Sequence, residues 1–334
     1  MKHILFLILI LSAQSGLAAT LGDVQQRGEL RCGVNTGLPG FSERDEAGNW
    51  QGFDVDFCRA VAAAVLGDPG KVEYVPLTTS DRFEAVADRK VDVLSRNTTW
   101  TLERDASSGA RFVGISYYDG QGFMIRKAAG VRSALGLGGM SVCVQKDTTS
   151  RDHVERYFAV NRMPLQLVEV ASPEAMLADY REGKCDLVTS DQSQLYALRS
   201  RMEQQGDHRI LPEVISREPL GPAVRAGDDQ WATIVRWVLY ALIEAEQRDL
   251  NSGNVDRVRD NSTYPVVRWM LGSEGNVGDG LGLDADWVYR VISSVGNYAE
   301  VFDRNLGSAS ALKIKRGLNA PWIQGGLLYS PPFK

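Results

Sequence analysis

One order of elements, met twice, constrains this chain more than any other feature. Apolar runs at Glu29 to Val34, Val72 to Leu77 and Val91 to Leu94 have strand length, and stretches with helical spacing lie between them. The first such stretch runs from Asp54 to about Leu66, with Phe57, Val61, Ala64 and Val65 on one stripe, and Gly67, Pro69 and Gly70 stop it. The second starts at Ser80 or Asp81 and ends near Arg89. The same order then returns. Ser141 to Val144, Leu165 to Val170 and Asp186 to Thr189 read as strands, separated by a helix that begins at Thr148 and Thr149 and by another that Ser172-Pro173 opens. Strand, helix, strand within one sheet implies parallel pairing and a right-handed crossover, so each half predicts an α/β lobe with a mostly parallel sheet flanked by helices. Ligand groups then belong in the loops at the carboxyl ends of the strands.

Ile115 to Met124, rich in tyrosine and glycine, and Ser216 to Val224, with Pro219, Gly221 and Pro222, are expected to cross between the lobes as a two-strand hinge. It would bend near Tyr117 to Gln121 and Ser216 to Gly221. The first lobe takes residues 20–117 and the second 118–218, and residues 219–334 return to the first. Trp231 to Leu250 predicts a long helix that packs on the first lobe through Ile234, Val235, Val238, Leu239, Leu242 and Ile243. Beyond Asn251 a helical C-terminal extension is expected, with an amphipathic helix from near Asp284 through Trp287, Val291, Val295, Tyr298 and Phe302.

Met1 to Ala19 has Lys2 in front, an apolar run from Ile4 to Leu11, and small residues at Gly16, Ala18 and Ala19. That run is too short to span a bilayer and has the shape of a secretory signal cut near Ala18, so the mature chain is expected in the periplasm, with no direct membrane insertion. A net charge of -5 argues against nucleic acid or an anionic membrane as the main partner and leaves small ligands and proteins. Four cysteines fit an oxidising compartment and allow three pairings, of which proximity along the chain favours Cys32-Cys58 and Cys143-Cys185. Close Cys-x-x-Cys or histidine spacing is absent from the sequence, so neither metal nor cofactor is expected.

The stretch Asp92 to Arg104 focuses the functional question. Val91, Val93 and Leu94 give way to a hydroxyl-rich run from Ser95 to Thr101, as where a buried strand opens into a loop. Thr101 can cap a helix with Glu103 in its first turn, which sets Arg104 beside hydroxyls and backbone amides. A guanidinium in such a corner is a planar bidentate partner for a small carboxylate. The run Ser95-Arg96-Asn97-Thr98-Thr99-Trp100-Thr101 with Arg104 resembles the carboxylate clamp of periplasmic amino-acid-binding proteins of polar amino-acid ABC transporters. It is close to one branch of that family, the general L-amino-acid and glutamate/glutamine/aspartate/asparagine receptors. Gly52-Phe53-Asp54-Val55-Asp56 is a family hallmark with a structural role, in keeping with acids in a helix's first turn, and Thr189-Ser190-Asp191-Gln192-Ser193 also matches. Where the family has glycine, this chain carries Asp147.

The resemblance covers nearly the whole chain, C-terminal extension included, and implies the type II periplasmic binding protein fold. It also implies reversible capture of a free L-amino acid by cleft closure and delivery to the permease subunits of an ABC importer. Arg104, with Thr99, Asn97 and the Thr148 and Thr149 region, would take the α-carboxylate, and Asp191 the α-ammonium. Thr148 and Thr149 read equally well as an ordinary helix cap. Arg96 reads either as a second cation for an acidic or carboxamide side chain or as an outward salt bridge. Gln145 and Gln192 would add amide hydrogen bonds, and Asn35, Thr36 and Phe41 would line the crevice from the first lobe. The rival is an enzyme on the same scaffold, such as a cyclohexadienyl dehydratase or a lytic transglycosylase, which needs a general acid or base aimed at the reacting bond. His153 and His208 do not follow strand ends, which leaves Glu103 and Glu218 as the candidate acids.

Overall fold

A computed structural model describes residues 20–334, so the expected signal at Met1 to Ala19 lies outside the described residues. The chain begins with α1 (Thr20–Arg27), β1 (Leu30–Asn35), β2 (Glu43–Arg44), β3 (Trp50–Gln51) and α2 (Phe53–Leu66). Next come β4 (Val72–Leu77), α3 (Arg82–Ala87), β5 (Val93–Leu94), α4 (Leu102–Ser107) and β6 (Ala110–Phe112). After a crossing at β7 (Tyr117–Asp119) follow β8 (Gln121–Arg126), β9 (Ser141–Gln145), α5 (Thr149–Val160), β10 (Gln166–Val170) and α6 (Pro173–Arg181). The second half closes with β11 (Leu187–Asp191), α7 (Gln192–Ser200) and β12 (His208–Ile210). The return runs through β13 (Glu218–Leu220) and β14 (Ala223–Arg225) into α8 (Asp229–Gln247). Last come α9 (Val255–Asn261), α10 (Pro265–Met270), α11 (Trp287–Val295) and α12 (Tyr298–Asn305).

Two five-stranded sheets result, ordered β4-β1-β5-β14-β6 and β10-β9-β11-β8-β12. In each, the three strands of the βαβαβ unit run parallel, and β14 and β8 join them antiparallel. The sheet plan therefore repeats, as the element order predicts. The central strands β1, β5, β9 and β11 are buried almost throughout, which is why they read as continuous apolar runs, while the edge strands β4 and β10 are half-exposed. In the first sheet Val34 and Val93 face α2 and α8, while Leu77, Leu94 and Phe112 face α3. In the second, Cys143 and Val188 meet α6 and α7 on one side, and Val142 and Leu187 meet α5 on the other. Both expected disulfides are present, Cys32-Cys58 tying β1 to α2 and Cys143-Cys185 tying β9 to the turn before β11.

The two crossings pair as antiparallel strands, with Glu218 opposite Asp119 and Leu220 opposite Tyr117. The extension packs on the first lobe, chiefly α11 on α2 and α8, and α12 on the same two helices. The single amphipathic helix expected from Asp284 is in fact two. Gly296 turns the backbone to φ 91°, and Asn297 then starts α12 with a capping box to Glu300. The paired acids of the family hallmark are structural, and they reach across the lobe. Asp54 accepts from the Ser95 hydroxyl at 3.1 Å and the Asn97 amide at 2.9 Å, while Asp56 accepts from Arg304 at 2.8 Å and Asn305 at 2.6 Å.

Candidate functional site

The carboxyl ends of the parallel strands in both sheets converge on one enclosed cavity. From the first lobe come Asn35 after β1, Thr79 and Arg82 after β4, Arg96, Asn97 and Thr99 after β5, and Arg104 from α4. From the second come Gln145, Thr148, Thr149 and Ser150 around the start of α5, Ser190 and Asp191 at the end of β11, and Gln194 on α7. The lobes are shut on each other: Gln145 Nε2 donates to Thr79 Oγ1 at 3.1 Å, and Arg201 Nη2 to the Gly37 carbonyl at 3.0 Å. The shut cavity measures about 40 Å³, a few water-sized positions, so a solute enters through an opened cleft. Beside it lies an outer cleft of about 1090 Å³ between α4 and α5, and Arg104, Thr148 and Thr149 belong to both.

The local geometry follows from the sequence. Thr101 caps α4 by accepting the Arg104 amide at 3.2 Å, and Arg104 Nη1 donates back to the Thr99 carbonyl at 2.9 Å. Trp100 stacks on Phe112 at 5.5 Å and anchors the loop to the sheet. Asn97 adopts a left-handed φ of 40°, which asparagine tolerates, and its side-chain oxygen accepts from Asn35 Nδ2 at 3.0 Å. Arg96 turns inward: it is buried, its Nε donates to the Leu77 carbonyl at 2.9 Å, and its Nη2 to Thr79 Oγ1 at 3.4 Å. Across the cavity Asp147 takes φ 59°, the conformation that glycine would supply more cheaply. The Thr148 hydroxyl donates to the Gln145 carbonyl at 2.7 Å, so it orders the loop and leaves the first amides of α5 without a side-chain cap.

Three of the expected residues lie elsewhere. Phe41 is buried in an aromatic cluster, edge-on to Phe53 and Tyr117, because a ring of that size joins the core before it lines a polar crevice. The Thr36 hydroxyl turns back onto Asn35 Oδ1 at 3.4 Å. Gln192, the first residue of α7, packs its side chain on Gly122 and faces the groove beside the hinge. Conversely, Thr79, Arg82, Ser150, Ser190 and Gln194 line the cavity without having been singled out. The loop after the strand that ends at Leu77 was the available signal for Thr79 and Arg82. Reading Ser80 and Asp81 only as a helix start obscured it.

Charge is divided between the walls. Arg82, Arg96 and Arg104 crowd the first, and Asp191 stands in the second. Burial drives the Arg82 guanidinium well below its usual range and the Arg104 and Arg96 charges push the same way, while Asp191 opposes them. Among the described residues the Arg82 Nε finds no hydrogen-bond partner. Burial brings Arg96 down to about 10, against the pull of Asp54, and lowers Arg104 against Glu218 and Asp191. On the other wall burial raises the Asp191 carboxyl well above the ordinary range, with Asp119 and Glu218 adding to it and Arg104 and Arg82 resisting. A buried cationic wall and a buried carboxylate each gain from an opposite charge. Among the described residues no cluster of histidine, cysteine, aspartate or glutamate could hold a metal, and no helix is long and apolar enough to cross a membrane.

Two hinged α/β lobes that shut on a charged cavity define a solute-binding protein of the two-lobed type. The chain belongs to family 3 of the bacterial extracellular solute-binding proteins, whose family model matches residues 30–251. It is 50% identical over 329 residues to the general L-amino acid-binding periplasmic protein AapJ of Rhizobium johnstonii, covering 98% of this chain and 96% of that one. It is 48% identical over 324 residues to the glutamate/glutamine/aspartate/asparagine-binding protein BztA of Rhodobacter capsulatus, covering 97% and 96%. Its fold also superposes with a TM-score of 0.93, at 50% identity, on a periplasmic binding protein from Brucella ovis with glutathione bound, covering 95% of this chain and 100% of that one. These relatives are named as binding proteins, and the type II fold is that expected from the sequence.

Proposed function

We propose that this protein is the periplasmic binding component of an ABC importer and captures free L-amino acids, chiefly glutamate, glutamine, aspartate and asparagine, by closing its lobes around them. The observation that carries this reading is the facing of Arg104 and Asp191 across one enclosed cavity. A zwitterion brings each wall the charge it lacks. Arg104, with Asn97, Thr99, Thr148 and Thr149, takes the α-carboxylate, and Asp191 takes the α-ammonium. Arg96 and Gln145 take the side chain, joined by Arg82 with its unpartnered Nε. Each charge-assisted hydrogen bond contributes about 1.5 to 3 kcal/mol, so a few of them, less the cost of ordering, suit about micromolar affinity.

No bond is made or broken in this reading. Glu103 is exposed, Glu218 is buried behind the threonines, and His208 is buried against the Tyr180 hydroxyl at 2.8 Å. Export through the signal at Met1 to Ala19 fits the periplasmic naming of the relatives. Calorimetric titration of the mature protein with the twenty amino acids tests the proposal: one or more should bind near micromolar. Binding no tighter than millimolar throughout, with turnover of prephenate-like acids, would replace it with the enzyme reading. The outer cleft, which shares Arg104, Thr148 and Thr149 with the cavity, supports a second ligand class, γ-glutamyl peptides such as glutathione. The γ-glutamyl end would occupy the clamp and the remainder the cleft. Competition between glutathione and glutamate in the same titration decides it.

A further inference from the structure

Behind the clamp lies a carboxylate that none of the ligand contacts above employs. Glu218 opens the return strand β13 and its side chain is 0% exposed. It accepts the Ser216 hydroxyl at 2.6 Å and the Thr149 hydroxyl at 3.1 Å, and its Oε1 lies 2.9 Å from His153 Nδ1. The Thr99 side chain lies near it as well and helps to hold its charge. Burial alone would raise this carboxyl, but His153, Ser216 and Thr99 beside it outweigh burial and hold it below the ordinary range. The group is therefore a buried anion, and a buried anion is stable only while its donors stay in place.

The donor Thr149 and the neighbouring His153 belong to the second lobe, while Glu218 begins a strand held by the first. The strand after Glu218 is stitched to the first lobe: Trp100 donates its amide to the Pro219 carbonyl at 2.8 Å, and Gly221 to the Thr98 carbonyl at 3.0 Å. Thr149 and His153 ride on α5, which packs on the second sheet. The residues just before Glu218 follow the second lobe, through the Ile215 amide on the Gln121 carbonyl at 2.9 Å and the Gln121 amide on the Ser216 hydroxyl at 3.1 Å. The pivot thus falls at Glu218 itself. Carried with its strand on the first lobe, this residue parts from Thr149 and His153 as the lobes open.

We propose that Glu218 is a positioning residue of the binding site, a hinge carboxylate that draws Thr149 and His153 onto the Arg104 wall as the lobes shut and so sets how long a bound amino acid is held. The inference rests on the amino-acid reading given above. Lobe closure recovers bonds that the open form lacks, and one of the recovered partners, Thr149, lines the ligand cavity at the start of α5. Retention, more than capture, then depends on Glu218, because the encounter with the open lobe precedes closure.

Stopped-flow kinetics with L-glutamine, or with whichever amino acid titrates best, tests this in the mature protein and in E218Q, H153Q and the double variant. E218Q should raise the dissociation rate at least tenfold while association stays within about threefold and the melting temperature of the ligand-free protein is unchanged. H153Q should raise dissociation about threefold, and the double variant should dissociate no faster than E218Q, because the two residues act as one unit. An unchanged dissociation rate in E218Q overturns the assignment, as does a loss carried wholly by association or a double variant in which the effects multiply. Should E218Q fail to fold, H153Q decides alone, since His153 is 24% exposed and tolerates replacement, and an unchanged dissociation rate there overturns the assignment. A native protein that binds no amino acid removes the functional reading and this assignment together, whereas variants that release ligand at the native rate remove only the assignment.

Discussion

The sheets β4-β1-β5-β14-β6 and β10-β9-β11-β8-β12 share one plan, yet the edges they turn to the cleft carry opposite charge. The first offers Arg82, Arg96 and Arg104, and the second offers Asp191 among hydroxyls and amides. Their outer sides differ as well. The first lobe is thickened by α8 and by the extension, whose Trp287, Val291 and Phe302 join its core, while the second is completed by α5, α6 and α7 and the Cys143-Cys185 bridge. Repeating a topology thus fixes where side chains converge and leaves open which charges they bring. Discrimination follows from that freedom, because a dipolar solute is gripped only when the two edges differ.

Exchanging the charge at either pole should break the comparison most severely. Arg104→Ala and Asp191→Asn each leave an opposite charge of the ligand buried without its partner, a loss of about 2 to 5 kcal/mol, or roughly thirtyfold to several thousandfold in Kd for every amino acid. Calorimetry reads it directly, and a variant that keeps native affinity refutes the two-pole grip. The pH dependence supplies the sign. Asp191 is raised in the ligand-free protein, and an ammonium partner favours its ionised form, so a proton leaves on binding and affinity for glutamine falls as pH drops through that raised value. Asp119, pushed by burial to about 6, titrates beside it and deepens the fall. Asp191→Asn should flatten the steeper part of the slope.

A subtler exchange sharpens the comparison inside the first wall. If Arg82 and Arg96 serve the ligand side chain, Arg82→Gln and Arg96→Gln should lower affinity for glutamate relative to glutamine by about ten- to hundredfold, the worth of one charge-assisted bond. The ratio of the two dissociation constants is the readout. If the ranking is unchanged, both arginines serve only the fold.

Legibility along the chain tracked how locally each feature is determined. Val72 to Leu77 matches its predicted strand because its β-branched and aromatic residues suit the half-buried sheet edge it forms beside β1, and Thr101 announces α4 because a cap is a contact within one turn. The break at Gly296 is masked in the sequence, since the apolar spacing from Trp287 to Phe302 continues smoothly across it and overrides the cap signal of Asn297 and Glu300. Arg104 and Asp191, which directly follow strands or caps, were legible as residues of the cavity. Arg82 escaped because Ser80 and Asp81 mark the start of a helix, and it enters the cavity only when β4 docks on β1. Phe41 misled for the opposite reason: adjacency to a crevice loop says nothing about which way a ring turns.

The smallest expected effect concerns the padding. Asn319, buried in the extension, spans the first hinge strand: its Oδ1 accepts the Tyr118 amide at 2.6 Å and its Nδ2 donates to the Tyr118 carbonyl at 3.0 Å. Tyr298 adds a hydroxyl to the Ser116 carbonyl at 2.7 Å. These bonds hold the hinge from the side away from the cleft, so they tie it to the first lobe without touching a ligand. Asn319→Ala removes two neutral hydrogen bonds of about 1 kcal/mol each. Hydrogen exchange at the Tyr118 amide should then quicken about tenfold, while the Kd for amino acids shifts less than about fivefold. A change in Kd as large as that of Arg104→Ala would mean that the extension governs closure, and the functional contrast between the lobes would then lie as much in their outer padding as in their inner charge.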